Sequence, residues 1–165
     1  MKQDNAYIVV GEVATIQLQG EFAELIDAKD LPLISGWHWH AMKNYKTWYV
    51  QGHRHGERKF RYLHRLIMGL DGPNVDHKNN NGLDNRRSNL RHCTQSQNMA
   101  NCRQRNQARY RGVWKKSGRY RALIAVAGKR KYVGSAATAE EAARLYDEAA
   151  KKNFGEFATL NFPET

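Results

Sequence analysis

Four residues carry the side chains best suited to chemistry: the adjacent Asp76 and His77, then Asn89 and Asn98, in the spacing D-H-x11-N-x8-N. A carboxylate and an amide oxygen are hard donors that suit Mg²⁺ or Mn²⁺, ions that keep several waters and accept phosphate oxygens. A neutral imidazole near pH 7 takes a proton from an attacking water. The set therefore reads as the parts of a metal-assisted hydrolysis.

For these groups to meet, residues 75–101 must fold back on themselves. Asn81-Gly82 marks a turn, because Gly accepts positive φ and Asn often does too. The polar run 82–87 reads as loop. Thr94 with Gln97 predicts a capping box that opens a short helix, with Asn98 early on it. A strand ending at His77, a long polar loop, a second short strand and that helix would bring Asp76, His77 and Asn98 together.

The chain has 165 residues and a formal charge of +11, which allows one medium domain or two small ones and predicts a polyanionic partner. An acidic membrane surface is the competing reading. However, no apolar run approaches the roughly 18 residues that a spanning helix needs, and the first residues lack the apolar stretch of a secretory signal. The two cysteines, Cys93 and Cys102, form no C-x-x-C pair and suggest a reducing, cytoplasmic setting.

The D-H pair, N-R-x-S-N-L-R over 85–91, T-Q-S-Q-N over 94–98 and L-H-R-L over 63–66 together resemble the HNH nucleases, in the variant whose last motif histidine is Asn. The resemblance implies a ββα-metal core that cuts a DNA phosphodiester with one divalent ion, Mg²⁺ or Mn²⁺. By position, Asp76 and Asn98 are the metal ligands and His77 the general base. Asn89 is the central asparagine, which fixes the loop and the His77 ring. His64 and Arg65 stand where relatives carry the same pair; they either line the cleft and touch a phosphate or serve the helix structurally. Some relatives hold a structural zinc through paired cysteines, and none is expected here.

Upstream, strands are expected at 7–10, 15–18 and 22–26, one or two helical turns at 28–35, a hairpin from 37–42 and 47–51, a strand at 58–62 and a helix near 64–68. This β-rich part would buttress the motif. His38 and His40, like His53 and His55, sit two apart and share a strand face; a zinc site, phosphate contacts and plain polar faces are all open there. Residues 1–102 thus read as a nuclease domain, and 103–109 as a basic linker that is either solvated or in contact with phosphates.

From Tyr110 the pattern changes. Strands are expected at 110–116, 119–126 and 131–134, separated by Ser117-Gly118 and Gly128-Lys129. A helix over 139–152 presents Ala142, Leu145, Tyr146 and Ala149 on one face, opened by a Thr138/Glu141 capping box. Val113, Leu123 and Ile124 are its expected core partners. The fold class is α+β, ending in a three-stranded antiparallel sheet packed on one helix over 110–165. Y-R-G-V, T-A-E-E-A-A-x-x-Y-D and the terminal L-N-F-P resemble the plant APETALA2/ethylene-response-factor DNA-binding domain. That family lays its sheet in the major groove. By position Arg111, Gly112 and Arg130 match contacting residues. Lys116 and Tyr132 replace an Arg and a Trp, and Trp114 and Ala125 replace arginines, so the fold carries over and the plant sequence preference does not. Arg119 and Arg121 add positive charge to the same strands.

Both resemblances point to a site-specific endonuclease acting on double-stranded DNA, with no membrane and no obligate protein partner, of the kind found as nicking homing enzymes of phages and mobile elements. The alternatives are a DNA-binding regulator with an inactive core and a low-specificity nuclease of defence or degradation.

Overall fold

The computed structural model describes residues 5–44, 47–54, 56–69, 74–101 and 110–163. Cys102, His55, the tip of the first hairpin and the expected linker at 103–109 lie outside the described residues. The chain is mixed α+β and divides into two compact units, 1–93 and 94–165.

The first unit opens with an antiparallel meander of β1 (Tyr7–Val10), β2 (Val13–Gln17) and β3 (Ala23–Asp27). A 3-10 turn at Ala28–Asp30 runs into α1 (Leu31–Ile34), which takes Pro32 in its first turn, where a missing N–H costs nothing. A second sheet joins β4 (Trp37–Asn44), β5 (Thr47–Arg54) and β6 (Arg61–Tyr62). The strand expected at 58–62 is thus only two residues long. Then come α2 (Leu63–Met68) and a hairpin of β7 (Asn74–His77) and β8 (Leu90–Cys93). One apolar core, including Ala14, Ile16, Ile26, Trp37, Trp39, Val50, Leu63 and Leu90, draws on every layer of this unit. Burying each large side chain contributes roughly 1.5–3 kcal/mol, so both sheets and α2 are held to β8.

The second unit begins with α3 (Gln95–Asn101), opened by the anticipated box: Gln97 N–H donates to Thr94 Oγ1 and Thr94 N–H to Gln97 Oε1. A sheet in the order β11-β10-β9 follows, from β9 (Val113–Lys116), β10 (Arg119–Val126) and β11 (Lys129–Ala136). Both hairpins close through two residues at positive φ, Ser117-Gly118 and Ala127-Gly128, the turn whose twist matches the strands. The second turn therefore falls one residue before the expected Gly128-Lys129, and β11 is longer than expected.

The helix α4 (Ala139–Phe154) carries a complete Thr138/Glu141 capping box and covers the sheet. Its buried face includes Ala142, Ala143, Tyr146, Asp147 and Ala150. Asp147 is buried because its carboxylate accepts from the Asn161 and Phe162 backbone N–H groups and from Asn161 Nδ2. Asn161 Oδ1 in turn accepts the Arg111 N–H, which staples the end of the chain to the start of the sheet. Ile124 lies beneath the helix as expected, whereas Leu123 does not. Strand alternation puts Leu123 on the opposite face, level with Tyr132.

Candidate functional site

Asp76 and His77 sit side by side at the end of β7, each only 5% exposed. Register places Arg91 of β8 directly across from Asp76. Its Nε and Nη2 both donate to Asp76 Oδ2, at 2.9 and 2.8 Å, so a partly buried guanidinium balances the buried carboxylate. His77 Nε2 lies 3.1 Å from Oδ1 of Asn85. Burial pushes the His77 imidazole below its ordinary value, with Asn85, Asp76 and Asp84 offsetting part of that effect. The ring is neutral near pH 7, as a general base must be.

Aromatic rings wall this histidine. The Tyr49 centroid is 5.8 Å away, and His64 meets it edge to face at 5.0 Å. His64 itself stacks on Tyr62 at 5.4 Å. It is buried, and its Nδ1 has no hydrogen-bond partner among the described residues. Burial first, then the neighbouring His77 and Arg65, push it down to about 3. His64 thus packs among the rings of Tyr49, Tyr62 and His77. Arg65 is half-buried on the same helix.

The segment 78–89 is a hydrogen-bonded frame rather than a loose loop. Asn89 Oδ1 accepts the Asn79 N–H, while its Nδ2 donates to Asn79 Oδ1 and to the Asp84 carbonyl. Asn89 thus secures the loop, but the His77 ring is held by Asn85. Asp84 takes both Arg86 and Asn79, and Arg86 draws its carboxyl below the usual range. Asn80 adopts the left-handed conformation, with φ 59°. Gly82 serves close approach instead, since a Cβ there would run into the Trp48 carbonyl oxygen and the Tyr49 ring.

The N-terminal meander stitches this frame in place. Leu25 of β3 donates to the Leu83 carbonyl and accepts from the Asn85 N–H, at 2.9 and 2.7 Å. Arg87 reaches both neighbouring acids: its N–H donates to Asp27 Oδ2, and its guanidinium clamps the Asp30 carboxylate. Asn85 and these β3 contacts escaped the sequence reading. The only signal was Asn85 itself, inside the N-R-x-S-N-L-R run.

Asn98 is half-buried on α3 and belongs to the second unit. Among the described residues no group of three or more His, Cys, Asp or Glu could hold a metal. In the histidine-rich hairpin His38 faces His53 at 5.7 Å, and His40 pairs with Gln51. The donors at β7 are of another kind. One carboxylate beside an imidazole suits a hard ion that keeps its waters and takes phosphate oxygens, which needs only one or two protein oxygens.

In the second unit, register gathers six of the expected DNA contacts on one sheet face. Trp114 is opposite Arg121, Lys116 is opposite Arg119, and Arg130 and Tyr132 continue that face on β11. Trp114 is 49% and Tyr132 61% exposed, and the Arg130 guanidinium lies 5.8 Å from the Trp114 ring. Arg111 and Gly112 are placed differently. Arg111 Nε donates to the Tyr146 hydroxyl and Nη2 to the Met99 carbonyl. Gly112, at φ 71°, has no room for a Cβ against the Tyr146 ring.

The arrangement is a buried histidine–carboxylate pair on a hairpin, in an α+β chain of formal charge +11. The chain matches no family model. A protein of Acanthamoeba polyphaga mimivirus described as an uncharacterized HNH endonuclease is 32% identical over 148 residues, spanning 87% of this chain and 76% of the relative. The chain belongs to the HNH endonuclease family. Among the described residues no helix is long and apolar enough to cross a membrane.

Proposed function

We propose that the protein is a divalent-metal-dependent, site-specific endonuclease of double-stranded DNA. The observation that carries this reading is the buried Asp76–His77 pair, each member gripped by its own partner, in a chain of the HNH family. A ββα-metal core would be built from β7, the 78–89 frame, β8 and α3, which succeed one another along the chain. His77 takes the proton from the attacking water. Asp76 and Asn98 would hold the ion, Mg²⁺ or Mn²⁺, and when bound it polarises the phosphoryl group and steadies the leaving 3′ oxygen. Arg91 fixes the orientation of the Asp76 carboxylate, while Asn89 keeps the loop beneath it closed.

The second unit supplies DNA recognition in the manner of an APETALA2-like domain. Its face of Trp114, Lys116, Arg119, Arg121, Arg130 and Tyr132 sets cations around two aromatic rings, a surface suited to phosphates and base edges. Arg111 and Gly112 support that sheet from behind. A sheet reader joined to a nuclease fits the homing type that nicks one strand. The test is incubation with supercoiled DNA in Mg²⁺ or EDTA. Nicked circles, later linear product, are expected with Mg²⁺ alone, and Asp76→Ala abolishes both. Intact supercoiled DNA in Mg²⁺ and in Mn²⁺ overturns the reading.

A further inference from the structure

The pair formed by His77 and Asn85 is enclosed, with 5% and 0% of the residues exposed. A side-chain amide can meet an imidazole nitrogen with either its oxygen or its NH₂ group. Here the other end of the amide decides. Asn85 Nδ2 faces the Gly82 carbonyl oxygen at 3.4 Å, so the reversed amide would set oxygen against oxygen in a buried place. With Oδ1 turned to His77, only an N–H can make the 3.1 Å contact, because that oxygen has no hydrogen to give.

The amide is also anchored. The Asn85 N–H is tied to Leu25 of β3 at 2.7 Å, and Gly82 is backed against Trp48. Tyr49 and His64 crowd the ring, which opposes a flip that would exchange its nitrogens. Asn89 has spent both ends of its own amide on Asn79 and Asp84.

We propose that Asn85 is the positioning residue that holds His77 in a single neutral tautomer, with the hydrogen on Nε2 and the lone pair on Nδ1. The proposal rests on His77 as the base and adds the residue that selects its working nitrogen. A neutral imidazole carries one N–H, so an acceptor locked against Nε2 directs proton uptake to Nδ1.

The experiment is ¹H–¹⁵N correlation of the imidazole nitrogens in the full chain without DNA or metal, at pH about 8, above the ordinary histidine value of about 6.5. His77 is assigned by the signals lost in His77→Gln. The wild-type ring should show one pattern, protonated at Nε2. Asn85→Ala should give mixed tautomers or a fast-exchanging N–H, and cut kcat on the order of 10–100-fold with DNA affinity unchanged, the range seen when partners that orient a metal-bound histidine are removed. Asn85→Asp keeps the acceptor but not the Gly82 contact, and should retain the Nε2 hydrogen; a purely structural role would be lost in both variants. Hydrogen on Nδ1 in the wild type overturns the proposal whether or not any variant folds, as does an Asn85→Ala spectrum identical to the wild type. A wild-type chain with the Nε2 pattern that cuts no DNA sinks the nuclease reading and leaves the tautomer assignment standing.

Discussion

His77 and His64 lie 5.0 Å apart yet have different surroundings. His77 has a polar partner at Nε2 and a carboxylate beside it in the chain, whereas His64 is enclosed by rings. His77→Ala should remove cleavage while leaving DNA affinity nearly intact, read by gel shift beside a nicking assay; wild-type turnover would refute the assignment of the base. For His64 the consequence is pH-dependent stability. Its folded value of about 3 lies below the ordinary histidine value of 6.5, so between these limits the unfolded chain binds more protons. Its contribution is complete above pH 6.5 and is lost as pH falls toward 3, at up to about 1.4 kcal/mol per pH unit. Burial pushes Glu24 the other way, so its penalty grows as pH rises above 4.5, which opposes the histidine in the overlapping window. His64→Phe keeps the ring packing and should flatten the acid limb of a denaturation-midpoint profile. A limb of unchanged slope would show that His64 is solvated.

At the scale of elements, short-range rules predicted most of what was found. Both capping boxes, β1 at its stated bounds and the order of three strands and a helix after residue 110 follow from residues within a few positions of one another. Thr138→Ala should cost about 1 kcal/mol by chemical denaturation, the usual value of a lost cap. Gly112→Ala should cost more than that, because φ is 71° and a Cβ meets the Tyr146 ring. A glycine variant as stable as wild type would mean that the start of the sheet yields freely. Elements joined by long-range contacts were less legible. Arg111 turns inward to Tyr146, 35 residues away, and β3 reaches the 78–89 frame across some 60 positions of chain, as Arg87 to Asp27 shows.

Over the whole molecule, the charge of +11 is an electrostatic statement about the partner. If 6–10 phosphates are contacted, DNA affinity should fall on the order of 10³–10⁵-fold between 50 and 200 mM salt. Fluorescence anisotropy over that range checks it, and a shallow slope would point away from extensive backbone contact. Charge reversal at Arg121, in the middle of the cationic sheet face, should weaken binding and flatten this slope without lowering the melting temperature.

By itself the sequence determined the chemical inventory, the α+β class and the HNH family, because residue type, local spacing and composition are written directly in the chain. Only the tertiary structure decided that Asn85 rather than Asn89 meets the His77 ring, that Arg91 faces Asp76, that Gly82 is needed for space and that Leu123 turns away from α4. The physical reason is common to all four. Each depends on a strand register, a bulge or a backbone crossing that brings distant residues within a few ångströms, and side-chain direction there is set by what the fold packs alongside.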